Sequence, residues 1–186
     1  MTVIWHSSKT FKMVYLALLI SFAVVIHTVE AAMPLPMPVP GAKIGLANII
    51  TLLTLILYGF KSGLIVAALR SVIGSLLIGT FLGFGFYLSF GGAVLSCIAM
   101  NWIMRYYRRG TVTLVSVSIG GAVAFNITQL GLASLLVQSI ILFRGYLPFL
   151  LLLSLPTGFF TGLAAGYLEK AAIRAGLQVT TFNSYR

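Results

Sequence analysis

The sequence predicts an all-α integral membrane protein, a bundle of six transmembrane helices with both termini in the cytoplasm. Three observations carry that expectation. The 186 residues have a mean hydropathy of +1.08 and only 8% charged side chains, too few to cover a soluble domain. Several apolar stretches reach the ~20 residues that a spanning helix requires. The basic residues lie at the ends of those stretches, where they set orientation.

The first span is Met13–Ala32. Lys9 and Lys12 precede it as they would a signal peptide, but Ala31 and Ala32 sit between Glu30 and Met33 without an A-x-A cleavage pattern, so we read a retained helix. "MPLPMPVPGAK", residues 33–43, then places four prolines between two apolar runs. This strap is either a plain connector or a roof over a site. The second and third spans, Ile44–Phe60 and Ser62–Leu82, divide at Gly59–Gly63, and the fourth, Phe84–Met104, follows Gly83–Gly85. "RYYRRG", Arg105–Gly110, precedes the fifth, Val112–Phe143. "RGYLP", Arg144–Pro148, opens the sixth, Tyr146–Glu169, with Pro148 in the first turn where its missing N–H is harmless. The membrane domain is thus 13–170, with short cytoplasmic tails 1–12 and 171–186.

Charge tests the count. With both termini inside, Lys9, Lys12, Lys61, Arg105, Arg108, Arg109, Lys170, Arg174 and Arg186 are cytoplasmic and only Lys43 and Arg144 are external, nine against two. The strap then faces outward. This scatter of the +10 net charge along helix ends also argues against a nucleic-acid surface. Small residues recur every fourth position at Ser71, Ser75, Gly79 and Gly83, and at Gly158, Gly162 and Gly166, as helices that pack closely in lipid require. Ala17 and Ser21 make a shorter stripe on the first helix, a candidate docking face for a partner.

No catalytic constellation is present. The chain has no aspartate, and Glu30 and Glu169 fall at opposite membrane faces. A site for Mg²⁺ and a diphosphate needs clustered carboxylates. There is no phosphate-cradling G-x-x-x-x-G-K-[ST] loop. His6 and His27 are too far apart for a two-histidine metal site, and Cys97 alone forms neither a disulfide nor a cluster site. We expect a non-enzyme with no metal or cofactor of its own.

The informative residues are polar groups within apolar spans. Arg70 is costly at membrane depth, and it either contacts a ligand, pairs with a helix carbonyl, or snorkels to the surface. Asn126 and Gln129, three apart, share a face and serve as interhelical glue or as the floor of a pocket. Asn48 and Thr51 share a face below the strap, and His27 and Glu30 do so at the end of the first helix. With Lys43, these groups would line the mouth of an outward-opening site for a small organic molecule.

Three motifs carry a family resemblance: "PGAKIGLANIITLL" after the prolines, "GSLLIGTFLGF" and "GGAVAFNITQL". Over Met13–Ala172 the chain resembles the bacterial Gx transporter family, often labelled heptaprenyl diphosphate synthase component I. That family is similar to the S components of energy-coupling factor (ECF) transporters, small six-helix proteins of the bacterial cytoplasmic membrane. The resemblance implies a loop after the first helix that covers the ligand, and a T component with ATPases as partners. It places Ala17-x-x-x-Ser21 where many S components carry Ala-x-x-x-Ala. The ligand class it implies is a vitamin, a flavin, or a quinone- or isoprenoid-related molecule. It also implies an alternative, because some members resemble the membrane subunit of a flavin- and demethylmenaquinone-linked electron-transfer system working beside an extracytoplasmic FMN-binding protein.

Overall fold

In lipid a backbone must satisfy its own hydrogen bonds, and a chain this apolar does so by coiling into helices. The computed structural model describes residues 9–33 and 43–175. They form five helices: α1 (Lys9–Ala32), α2 (Asn48–Ile78), α3 (Phe84–Arg108), α4 (Leu114–Val137) and α5 (Ile140–Arg174). Each is long and apolar enough to cross a membrane. This is a multi-pass, all-helical membrane protein. Residues 1–8, the strap prolines Pro34, Pro36, Pro38 and Pro40, and the tail from 176 lie outside the described residues.

Five helical elements stand where six spans are expected, and α2 is the reason. The second and third expected spans are one element, interrupted only at Gly59 (φ 78°, ψ −175°). Residues 60–63, read from sequence as a break, are helical. Yet α2 is not straight. The Arg70 guanidinium bonds the Asn48 side chain, although a continuous helix would hold residues 22 apart about 33 Å from each other. A Cβ at Gly63 would likewise meet the Leu55 side chain at 2.8 Å. The chain folds back at Gly59 into two arms, 48–58 and 60–78.

The other boundaries follow from capping. Gly79, left-handed at φ 75°, ends α2, its N–H bonding the Leu76 carbonyl while Thr80 bonds Ser75. The small-residue stripe therefore stops at Ser75, since Gly79 and Gly83 lie in the turn. The same device ends α4 at Val137 rather than Phe143, with Gln138 at φ 55° and the Ser134 hydroxyl donating to the Ser139 carbonyl at 2.6 Å. Consequently "RGYLP" is not a break. It runs inside α5, and Pro148 lies beyond the first turn. Thr113 starts α4 by accepting from the Ser116 N–H.

Glycine notches set the helix contacts. Cβ atoms at Gly158 and Gly162 would lie 2.6 Å from the Ile119 Cα and 2.7 Å from the Val115 Cα, so α5 meets α4 backbone to backbone. Ser118 and Thr161 bond across that seam at 2.6 Å. Phe125 of α4 fills the notch at Gly92 of α3, and the Ser96 hydroxyl donates to the Gly121 carbonyl at 2.8 Å. Cys97 is buried beside Gly63. Helix α1 packs on α2 alone among the helices. Ala17 and Ser21 are exposed on its outer face with Val14 and Phe22, and the Ser21 hydroxyl donates to its own helix at Ala17.

The Gly59 conformation is essentially closed to residues with a Cβ, at a cost of ~1–3 kcal/mol. Gly59→Ala should therefore lower the melting temperature of the purified protein in detergent. Gly145→Ala, in the open on α5, is the control and should be neutral or slightly stabilising. Equal melting temperatures would show that the reversal does not depend on the glycine.

Candidate functional site

Between α1 and α2 the chain is not helical from Lys43 to Gly45, and its amides must find partners inside the bundle. Side chains from two helices supply them. The Lys43 N–H donates to Gln129 Oε1 on α4, and Gln129 Nε2 donates to the Lys43 carbonyl, both at 2.9 Å. The Gly45 N–H donates to the Glu30 carboxylate on α1. Gly45 is left-handed at φ 88°, and a Cβ there would press on Asn48 Nδ2 at 3.0 Å and the Phe125 ring at 3.1 Å. Glycine is required both by conformation and by space. The Gly45 and Leu46 carbonyls then accept from Asn48 and Ile49, which starts α2.

Charged side chains converge on this segment. Arg70 Nη2 donates to Asn48 Oδ1 at 2.6 Å, tying the two arms of α2. The two residues are equidistant from Gly59, eleven positions on either side, so a reversal there brings them level. Lys43 Nζ lies 2.6 Å from His27 Nε2; an ammonium donor makes that nitrogen the acceptor and puts the imidazole proton on Nδ1. His27 rests on Gly74, where a Cβ would lie 2.5 Å from its ring. Arg70, His27, Gln129 and Glu30 are each no more than 3% exposed. Burial pulls the Lys43 ammonium from its ordinary 10.5 down to about 8; Glu30 opposes the shift and Arg70 adds to it.

Six sequence candidates therefore meet in one cluster: His27, Glu30, Lys43, Asn48, Arg70 and Gln129. They do not form a mouth and a floor, because the chain segment from Lys43 runs through their midst. Thr51 is buried one turn from Asn48 with its hydroxyl unpartnered, as is the Nε–H of Arg70. Asn126 does not join them. Its amide donates to the Leu150 carbonyl at 3.2 Å and to Ser154 Oγ at 2.8 Å, so it ties α4 to α5. Beside Pro156 the Thr157 hydroxyl donates to the Leu153 and Ser154 carbonyls. Sequence reasoning missed Gly45, Gly74 and Phe125. Only Gly45, inside the post-proline motif, carried a signal.

The family model described as heptaprenyl diphosphate synthase component I matches residues 19–168, a stretch that contains the whole cluster. The chain belongs to that family. It is the family to which the three motifs point, and in this chain the post-proline motif supplies Lys43, Gly45 and Asn48. No curated protein and no solved structure matches the chain.

The depressed Lys43 value has a definite sign for stability. Between about pH 8 and 10.5 the unfolded chain holds a proton on Lys43 that the folded chain has released, so stability rises with pH across that window. Relative to Lys43→Met, the melting temperature of the wild type should climb from pH 8 to pH 10. Parallel curves for the two proteins would contradict the burial of the ammonium.

Proposed function

We propose that this protein is an S-component-like membrane subunit that binds a small organic molecule at the cluster around Arg70 and performs no chemistry on it. One observation carries the reading: a buried arginine and five other polar side chains from α1, α2, α4 and the segment between α1 and α2 converge in one cluster among apolar helices. Buried charge is expensive there and is retained where it lines a ligand or ion path. Each arm of α2 holds the Asn48–Arg70 bond about 16 Å from the Gly59 turn, roughly half of a ~30 Å hydrocarbon core. We count the second arm, and the first arm together with residues 44–47 that lead into it, as two passes, giving six in all.

Both termini are then cytoplasmic, and the strap 33–43 lies outside as the ligand's cover. The contact of Lys12 with the Tyr58 ring, beside Gly59, supports placing the start of α1 and the turn at one end. The only glutamates are split between the cluster and the Tyr107–Glu169 contact near the ends of α3 and α5. That distribution supports a non-enzymatic component despite the synthase in the family's description. A bacterial cytoplasmic membrane, with a T component and ATPases as energy source, completes the reading. The Ala17–Ser21 face would be the docking point.

Two experiments test it. Single cysteines at Arg109 and Arg144 in a Cys97→Ala background should be labelled from outside intact cells only at Arg144, and the reverse pattern would invert the orientation. Mass spectrometry of protein purified in mild detergent should find a retained organic molecule. Retention should fall roughly 5- to 150-fold in Asn48→Leu, the equivalent of ~1–3 kcal/mol for a buried group left unpaired. Asn126→Leu should lower the melting temperature while keeping the ligand. A retained quinone, with an FMN-binding protein co-purifying in place of ATPases, would favour the electron-transfer alternative. No retained molecule from folded wild type would sink the binding reading.

A further inference from the structure

We propose that the cluster is built to receive an anionic group, a carboxylate or a phosphate, between Arg70 and Lys43. This rests on the binding reading above and adds the chemical class of the ligand. Two cationic side chains, Arg70 and Lys43, face one carboxylate, Glu30, and that carboxylate accepts from the Gly45 backbone N–H. The guanidinium is bonded to a neutral amide, Asn48, and its buried Nε–H is unpartnered. A guanidinium out of water needs an anion or several acceptors, and its forked donors match a carboxylate or phosphate.

A second buried group, the Thr51 hydroxyl, also lacks a partner and lies one helical turn from the Asn48–Arg70 bond. A hydroxyl and a guanidinium N–H can both donate to an oxyanion, and the positive guanidinium disfavours a cation beside it. Lys43 is the adjustable member. Its ammonium faces His27 and Glu30 of α1 and lies near Arg70 of α2, while its own backbone is held by Gln129 of α4. An added negative charge would stabilise the ammonium, so above about pH 8 binding takes up a proton and weakens as pH rises.

The anion has two possible sources, a free organic acid or phosphate and a lipid headgroup, and the experiment separates them. The full chain is placed in phosphatidylcholine nanodiscs and melted with hexanoate, inorganic phosphate or the neutral hexanamide at constant ionic strength. A second arm uses nanodiscs containing phosphatidylglycerol without added anion. Hexanoate or phosphate should raise the melting temperature at pH 7, hexanamide should not, and the apparent affinity should fall by up to about 30-fold at pH 9.5. Lys43→Gln, a change at a partly exposed residue that keeps the backbone bonds to Gln129, should abolish the pH dependence and at least halve the shift. Arg70→Lys tests the second cation without leaving the site neutral. The same Lys43-dependent shift confined to the phosphatidylglycerol arm would support the anion site and assign it to a headgroup. Equal stabilisation by hexanamide and hexanoate would overturn the anion class while leaving ligand binding intact. No shift in either arm would overturn the anion proposal, with ligand retention deciding separately on the site itself.

Discussion

A short stretch of backbone that is not helical, buried among helices, is the constraint on which the rest depends. From Lys43 to Gly45 the chain cannot satisfy its amides by coiling, and an unpaired amide in an apolar interior costs several kcal/mol. Gln129 meets one residue's N–H and carbonyl together, and Glu30 meets the Gly45 N–H. Those bonds fix where α1 and α4 stand relative to the start of α2. They also fix the contents of the bundle centre, because the residues that satisfy the backbone are the ones Lys43, Asn48 and Arg70 reach.

The reversal at Gly59 supplies the other half of the geometry. Two arms of a hairpin meet residue for residue about the turn, so an arginine eleven positions after Gly59 stands opposite an asparagine eleven before it. The guanidinium lies too far from either helix end to reach water easily, and its bond to Asn48 becomes the link between arms. His27 adds a third element to that link only because Gly74, one turn beyond Arg70, leaves room for the ring. Glycine here acts by omission, as a notch at Gly74 and as a turn at Gly59.

Much of this was legible in the sequence and some was not, for identifiable reasons. Hydropathy gave the helices, because length and apolarity decide membrane crossing with little help from tertiary context. The Gly59–Gly63 signal marked a true change of direction but not its form, since one residue can reverse a chain without ending the helical hydrogen-bond pattern around it. Helix ends were misplaced where the cap carries no glycine: Gln138 adopts the left-handed conformation, and the expected break slid to the more conspicuous "RGYLP". Six of the candidate site residues stand out in the sequence as polar groups within or beside apolar spans. Their arrangement as one cluster needed the hairpin. Asn126 shows the limit of the argument from spacing. It lies three residues from Gln129, yet about 60° around a helix is enough to turn one amide to α5 and the other to Lys43.

The polar residues thereby divide into two kinds. Asn126, Ser96, Ser118 and Thr161 bond carbonyls or hydroxyls on a neighbouring helix in seams also packed through glycine, and each donor reaches a neutral acceptor. They hold α3, α4 and α5 as one packed body. The cluster around Arg70 differs in carrying formal charge, in joining α1, both arms of α2 and α4, and in leaving the Arg70 Nε–H and the Thr51 hydroxyl unpartnered. If stability alone were at stake, apolar side chains of similar volume would serve as well or better at those positions. A polar centre with open hydrogen-bonding capacity, set beside seams of α3, α4 and α5 tied through neutral acceptors, is the arrangement that the proposed binding role would call for and that packing alone would not.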